Sequence, residues 1–183
     1  MKRWFLNDFE DHGDEEISAF GKYHPYGQHK AMGGDGSNYP IFSGRILDLK
    51  EKRQGGIVYF YSIIEPLIRK DVALVTVPSH DPSKAVNGIR ELAQRICIDD
   101  PRIDATEVLV RQKKVEKLAH GGSRASDNHL KTIIAKSPHL IRGRKVLLLD
   151  DVVSTGNSLR ACKQILLSAG ARAVHCAALG KTT

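Results

Sequence analysis

Short runs of consecutive apolar residues recur along the chain, and they predict strands that are buried on both faces of a sheet. Residues 71–78 (DVALVTVP), 106–110 and 145–149 are such runs, and residues 173–179 form a last one. Continuous β-branched runs are typical of parallel sheets, because helices cover both faces of such sheets. Apolar positions in residues 39–49 predict a further strand.

Between these runs, apolar residues recur at helical spacing and predict helices at residues 55–70, 82–98 and 156–168, with a short one at 128–135. Strands that alternate with helices imply right-handed βαβ crossovers, in which consecutive strands run parallel. We therefore predict an α/β fold, an open parallel sheet with helices on both faces.

Two regions lack such periodicity. Residues 1–40 are rich in Gly, Asp, His and Tyr, and we interpret them as a loosely structured arm or cap. We assign residues 1–50 to this N-terminal region of a single domain and residues 51–183 to its core. Residues 111–127 are polar, basic and broken by Gly121-Gly122, which predicts a long mobile loop.

Composition limits the protein class. A chain of 183 residues with 41% hydrophobic and 27% charged residues is neither disordered nor embedded in a membrane, and it has no run of about 20 apolar residues. Cys97, Cys162 and Cys176 lack metal-ligand spacing and are interpreted as small core residues, and they favour a reduced, cytoplasmic location.

The net charge is +7, with −4 in residues 1–16 and +11 in the rest. A basic body suits a pyrophosphate-bearing sugar or a nucleic acid, or it is simply a solvated surface.

One segment carries recognisable chemistry. A hydrophobic strand ends in two carboxylates and then enters a small-residue turn that opens a helix, at residues 146–159 (VLLLDDVVSTGNSL). Backbone N–H groups, hydroxyls and the helix dipole at such a turn bind a phosphate dianion, and a glycine permits close approach. The two carboxylates would repel an anion, but they accept hydrogen bonds from a ribose diol and attract Mg²⁺. A sugar phosphate with free hydroxyls would suit both the anion-binding turn and the two carboxylates. The alternative interpretation is an ordinary turn with surface aspartates.

This segment closely resembles the phosphoribosyl-pyrophosphate (PRPP) motif of type I phosphoribosyltransferases, and the strand–helix order over residues 71–180 agrees with that family's core. The resemblance implies a fold of that type with an N-terminal hood. It implies that two carboxylates hold the ribose hydroxyls, act in catalysis and bind Mg²⁺, directly or through water, while the following residues hold the 5′-phosphate. The implied PRPP site comprises Asp150, Asp151, Val152, Val153, Ser154, Thr155, Gly156, Asn157 and Ser158.

The family also has a pyrophosphate-binding loop after its first core strand, and a flexible basic loop that closes over the leaving group. The resemblance places the pyrophosphate-binding loop at Ser79, His80, Asp81 and Lys84. It places the second in residues 111–124, where the cations assigned to it are Lys114, Lys117 and Arg124. For each of these residues, an ordinary solvated loop position is the alternative.

The implied reaction is Mg²⁺-dependent transfer of ribose 5-phosphate from PRPP to a nitrogenous base or another amine, with release of pyrophosphate. The Asp-Asp pair and the following Thr-Gly are similar to ComF-like and orotate-type members. Ser154 stands where hypoxanthine-type members carry an acid, which argues against purine salvage. The aromatic rings within residues 20–50 are candidates to form the hood and to stack on an acceptor base, or they are core filling: Tyr23, His24, Tyr26, His29, Tyr39 and Phe42.

A second hypothesis is a non-catalytic regulator that senses PRPP or a nucleotide and binds nucleic acid with its basic surface. No helix-turn-helix, zinc module or ComF-type cysteine cluster supports it. The sequence does not identify the acceptor, and a homodimer is possible.

Overall fold

The computed structural model describes residues 17–81, 87–98, 101–112 and 132–183 of the chain. Its helices are α1 (Tyr26–Ala31), α2 (Ile41–Lys50), α3 (Gln54–Ile64), α4 (Gly88–Cys97) and α5 (Asn157–Ser168), with 3₁₀ turns at Glu65–Leu67 and Pro138–Leu140. Its strands are β1 (Ile17–Tyr23), β2 (Val72–Thr76), β3 (Ile103–Asp104), β4 (Leu109–Arg111), β5 (Ile133–Ala135), β6 (Lys145–Val153) and β7 (Ala173–Thr182). No helix in these ranges has the length and apolar character needed to cross a membrane.

Five of the strands form one parallel sheet in the order β1-β7-β6-β2-β3. A separate antiparallel pair consists of β4 and β5. The helices pack on both faces of the large sheet, so the α/β architecture predicted from the apolar runs is confirmed.

The two faces of the central strand β6 explain its continuous apolar sequence. Leu147 and Leu149 join the core cluster that contains α2, α3 and α4 residues, whereas Val146 and Leu148 join the cluster of α5. All four side chains are almost completely buried. Because successive strand residues point to opposite faces, a strand covered on both sides needs apolar residues at every position.

The parallel arrangement decides where chemistry can occur. Every strand of the large sheet runs in the same direction, so the segments that follow β2, β6, β7 and β1 all emerge at one edge. Residues 78–81 follow β2 and residues 154–158 follow β6 at this carboxyl edge. In open α/β sheets, ligands bind at this edge.

The predicted strands at residues 71–78, 145–149 and 173–179 are confirmed as β2, β6 and β7, and the predicted helices at 55–70 and 156–168 as α3 and α5. The helix predicted at 82–98 is α4, which begins at Gly88 after its N-cap Asn87, and residues 82–86 lie outside the described ranges. Pro66 does not kink α3, because the helix ends at Ile64.

Four sequence predictions are wrong. Residues 39–49 form helix α2, not a strand, and its buried residues Ser43, Ile46 and Leu49 recur every three positions, which is one helix face. Residues 17–23, predicted to belong to a loose arm, form edge strand β1. The run at 106–110 yields β4 outside the large sheet, and the strand beside β2 is instead the two-residue β3. Residues 133–135, predicted to be helical, form β5.

Two glycines allow α3 and α4 to approach the backbone of α2 closely. A Cβ on Gly56 of α3 would meet the backbone nitrogen of Leu49, and a Cβ on Gly88 of α4 would meet the Leu49 carbonyl oxygen. In both cases the obstacle is backbone, which cannot move aside as a flexible side chain would. These helices therefore depend on glycine to pack against α2.

We expect Gly88→Ala to lower the free energy of unfolding by about 1–3 kcal/mol or more, because the added methyl group overpacks the α2–α4 contact. Urea unfolding followed by circular dichroism measures the change. Gly27→Ala is the matched control, since Gly27 lies in α1 and a Cβ there meets no atom within 4 Å. Equal stability of the two variants would contradict the close packing.

Candidate functional site

The site is centred on the junction of β6 and α5. Strand β6 extends to Val153, so Asp150 and Asp151 lie within the strand near its end. The chain then reverses through a turn in which Gly156 has a φ of 78° and stands at the N-cap of α5. This left-handed conformation is strained for any residue with a Cβ, which explains the glycine.

The turn encloses a small cavity at the amino end of α5. Its volume is about 50 Å³, and it is lined by Asp150 and residues 152–159. No side chain in the described ranges caps α5, and Ser154 and Thr155 are exposed. A helix N-terminus presents backbone N–H groups with a partial positive charge, so the cavity suits an anion such as a phosphate group.

Asp150 lies at the base of this cavity. One of its carboxylate oxygens accepts a hydrogen bond from the Asp151 backbone N–H at 2.9 Å. Burial raises the pKa of the Asp150 carboxyl well above its ordinary value, and the nearby charge of Asp151 raises it further. The protein therefore holds a carboxylate at a position where the negative charge is costly, which is typical of functional sites.

Asp151 has a different environment from its neighbour. It does not line the small cavity, and its carboxylate pairs with the ammonium group of Lys50 at 3.7 Å. Lys50 is the last residue of α2, and its ammonium also lies 5.2 Å from the ring centroid of Tyr23. The structure thus places Asp150 with the turn and Asp151 beside a lysine that the sequence reasoning did not single out.

The segment assigned to pyrophosphate binding lies beside a second cavity. This cavity has a volume of about 280 Å³, and Ser79 and Asp81 line it, whereas His80 does not. The Asp81 backbone N–H donates to the Ser79 hydroxyl at 3.2 Å. Lys84, Lys114, Lys117 and Arg124 lie outside the described residues, so their assignments stay predictions.

Three cationic side chains line the same cavity, and Arg111 is the most constrained of them. Only 5% of Arg111 is exposed. Its guanidinium donates to the Ser79 carbonyl at 2.8 Å and to the Thr132 hydroxyl at 2.7 Å. Burial lowers the pKa of Arg111, although a guanidinium stays charged at any physiological pH. The other two cations are Arg90 and Lys136.

Sequence reasoning treated Arg111 as the start of a mobile loop, and it did not anticipate Arg90 or Lys136. A signal for Arg111 exists in the sequence, because it directly follows the apolar pair Leu109-Val110 and thus continues a strand. No comparable signal marks Arg90, which lies in the first turn of α4 and pairs with Glu107 at 3.7 Å.

The aromatic residues of the N-terminal region form a cluster after β1. The ring centroids of Tyr26 and Tyr39 are 5.0 Å apart, and those of His29 and Tyr39 are 5.2 Å apart. The Tyr39 hydroxyl donates to the His24 carbonyl at 2.6 Å. Since His24 directly follows β1, this cluster belongs to the same edge of the sheet as the acidic pair.

Cys162 lies under the site, on α5, and is completely buried. Burial raises the pKa of its thiol, and the charge of Asp150 raises it further.

We expect native protein to react quickly with a thiol reagent at Cys97 alone. Cys97 is partly exposed, whereas Cys162 and Cys176 are both buried. Thiol titration before and after unfolding, with peptide mass mapping, measures this. Rapid native modification of Cys162 would contradict the assignment.

A family of known proteins and a solved structure resemble this chain. The phosphoribosyl transferase domain family matches residues 44–181 of the chain. A solved structure described as the allosteric regulatory enzyme of purine biosynthesis aligns with 74% of this chain and 25% of its own, at 16% identity and a TM-score of 0.40. This chain therefore spans about a quarter of the length of that structure. A search among curated proteins gives no match.

Proposed function

We propose, since the chain belongs to the phosphoribosyltransferase family, that it transfers ribose 5-phosphate from PRPP to a nitrogenous base or another amine and releases pyrophosphate. The observation that carries this proposal is the turn at residues 154–158, which opens an uncapped helix N-terminus beside Asp150. We also propose a cytoplasmic location, because Cys162 and Cys176 are buried and isolated cysteines are typical of proteins in reducing compartments.

In this proposal the 5′-phosphate of the substrate occupies the small cavity. The amino end of α5 supplies backbone N–H donors and the positive end of a helix of 12 residues. Gly156 permits the positive φ that this turn requires, and the exposed hydroxyls of Ser154 and Thr155 are further donors. Fixing the phosphate orients the sugar and lowers the entropic part of the barrier.

The carboxylates of Asp150 and Asp151 accept hydrogen bonds from the 2′- and 3′-hydroxyls of ribose. A charged acceptor forms a stronger hydrogen bond than a neutral one, so the pair holds the ring firmly. Lys50 keeps Asp151 at the end of β6 through its ion pair. The anomeric carbon acquires positive character as pyrophosphate departs, and the nearby carboxylates favour that charge.

Cations near the second cavity stabilise the departing pyrophosphate. Arg111 is held by Ser79 and Thr132, so its charge is oriented before substrate arrives. Ser79 and Asp81 border the space in which the leaving group would lie. Lys84 is proposed to add positive charge from the loop that follows β2. Lys114, Lys117 and Arg124 are proposed to add more when the segment after Arg111 closes, which would also exclude water.

The donor set at the acidic pair fits Mg²⁺. Magnesium prefers carboxylate oxygens, water and substrate phosphates, and it seldom occupies a cage built by protein alone. Asp150 and Asp151 supply two carboxylates, and the described ranges contain no cluster of three or more His, Cys, Asp or Glu side chains that would hold a metal. When bound, the ion would neutralise charge on the pyrophosphate group.

The aromatic cluster of Tyr26, His29 and Tyr39 is the proposed contact for the acceptor. Rings at this edge offer flat apolar faces on which a planar base stacks. The acceptor stays a class of compound, nitrogenous bases and related amines.

A pyrophosphate-release assay tests the proposed reaction. Purified protein, PRPP and Mg²⁺ are incubated with a panel of pyrimidine and purine bases and simple amines. We expect release that depends on one acceptor and on Mg²⁺. If calorimetry detects PRPP binding but no acceptor gives release, the protein is a PRPP-binding regulator instead. Absence of PRPP binding would contradict both alternatives.

A further inference from the structure

The edge of the large sheet opposite the candidate site carries a concentration of positive charge. Strand β6 has nine residues, so its first residue lies about 26 Å from its last. Six cationic side chains lie at this amino edge, and we name them the basic edge: Arg69, Lys70, Arg142, Arg144, Lys145 and Arg172.

Strand register brings these residues together. Lys145 pairs with Val72 of β2 on one side and with Ala173 of β7 on the other. The Arg172 backbone N–H donates to the Arg144 carbonyl at 2.9 Å. The basic edge therefore extends across the ends of three adjacent strands, which is a width of about 10 Å between the outer backbones.

Nearby acids neutralise only part of this charge. Asp71 pairs with Arg69 at 2.8 Å and with Lys145 at 4.0 Å. By contrast, Arg144 and Arg172 are exposed, and neither has an acidic partner within 4.0 Å in the described part of the chain.

The basic edge borders an open groove. Arg69 and Lys70 line a cavity of about 600 Å³ together with Glu65, Asp71 and Arg102. Arg102 is buried and donates to the carbonyls of Arg69 and Ile68, so it holds the wall of the groove in place. A ligand at this edge would meet a shaped surface bearing exposed cations.

We propose that the basic edge binds the phosphate backbone of nucleic acid, on the side of the molecule opposite the PRPP site. Exposed cations spread over about 10 Å exceed what a single phosphate group needs. They match the repeated phosphates of a duplex, in which each strand carries one negative charge about every 3.4 Å of helix axis. This inference goes beyond phosphoribosyl transfer and does not depend on it.

Salt-dependent binding of a labelled DNA duplex of about 20 base pairs and mixed sequence tests the proposal. Fluorescence anisotropy gives the dissociation constant at several salt concentrations. For the double variant Arg144→Gln/Arg172→Gln, we expect weaker binding and a log–log salt slope that is smaller by about 2, since each lost phosphate contact removes about 0.9. Arg142 is left unchanged because its side chain packs against Gly170.

The matched control is Lys22→Gln/Lys181→Gln. Lys22 and Lys181 are exposed, they pair with each other across β1 and β7, and they lie near the carboxyl edge. The control removes the same net charge, so it is expected to keep the wild-type slope within about 0.5.

Equal loss in both variants would assign duplex binding to net charge and would overturn the proposal. Unchanged duplex binding by the Arg144→Gln/Arg172→Gln variant would also overturn the proposal. Wild-type binding to anionic phospholipid vesicles but not to the duplex would overturn it as well. PRPP binding by each variant is measured alongside. Absence of PRPP binding in wild type would contradict the proposed reaction but would leave the inference about the basic edge intact.

Discussion

Replacing Asp150 and Asp151 together by asparagine is expected to abolish Mg²⁺-dependent binding of PRPP. Each carboxylate would lose a charged hydrogen bond to a ribose hydroxyl, and such bonds contribute about 1.5–3 kcal/mol each. The pair therefore accounts for about 3–6 kcal/mol, or at least a 100-fold loss of affinity. Isothermal titration of PRPP with and without Mg²⁺ measures the loss. Asp71→Asn, at the other end of the sheet, is expected to leave the affinity unchanged.

The same exchange should not harm the fold. The pKa of Asp150 is raised in the folded protein, so this carboxyl ionises at a lower pH in the unfolded chain, and its contribution to stability falls as the pH rises above about 4. Asp150→Asn removes the costly charge, and we expect its free energy of unfolding at pH 7 to equal or exceed the wild-type value. A large loss of stability in this variant would show that Asp150 is part of the structural framework and would remove the binding interpretation.

Gly156→Val is expected to weaken both the fold and phosphate binding. A β-branched residue at a φ of 78° is a true outlier, and the strain costs about 1–3 kcal/mol. A Cβ at this position would also lie 2.5 Å from Cδ1 of Ile17 and 3.3 Å from a guanidinium nitrogen of Arg160. The turn must shift to relieve these contacts, so PRPP affinity should fall by about tenfold or more.

Gly143→Val separates backbone strain from disruption of the site. Gly143 has a φ of 71°, and a Cβ there meets no atom within 4 Å. We expect a comparable strain cost in urea unfolding, with unchanged PRPP affinity, since Gly143 precedes β6 at the opposite edge. Equal PRPP affinity in the two variants would contradict close approach of the substrate to Gly156.

The central strands and the turn that follows β6 could be predicted because both rest on local sequence. Strands β2, β6 and β7 are buried on both faces, so their composition is apolar throughout. The turn at residues 154–158 requires small residues and a glycine with positive φ, and residues of these types can be recognised in the sequence.

Edge elements could not be predicted for a physical reason. Strand β1 has one neighbour in the sheet and is mostly half-buried, so its sequence lacks both a continuous apolar run and a regular alternation. Strand β3 has two residues, which is too short for any periodicity. Helix α2 carries enough apolar residues to resemble a strand, and tertiary packing on the glycines of α3 and α4 fixes it as a helix.

The environments of the site residues depend on contacts that are distant in sequence. Lys50 meets Asp151 across about a hundred residues, and only the position of α2 over the sheet brings them together. Arg111 meets Ser79 through the placement of β4 beside the loop that follows β2. A sequence motif gives the types of residue at a site, whereas long-range packing decides which partner each one has.

The central claim is that the turn at residues 154–158 holds a sugar phosphate beside Asp150. A crystal soaked with ribose 5-phosphate tests it directly. We expect phosphate oxygens within about 3.2 Å of backbone nitrogens in the turn, with the ribose hydroxyls directed to the acidic pair. A sugar phosphate bound at another location, with the turn closed by protein atoms, would contradict it.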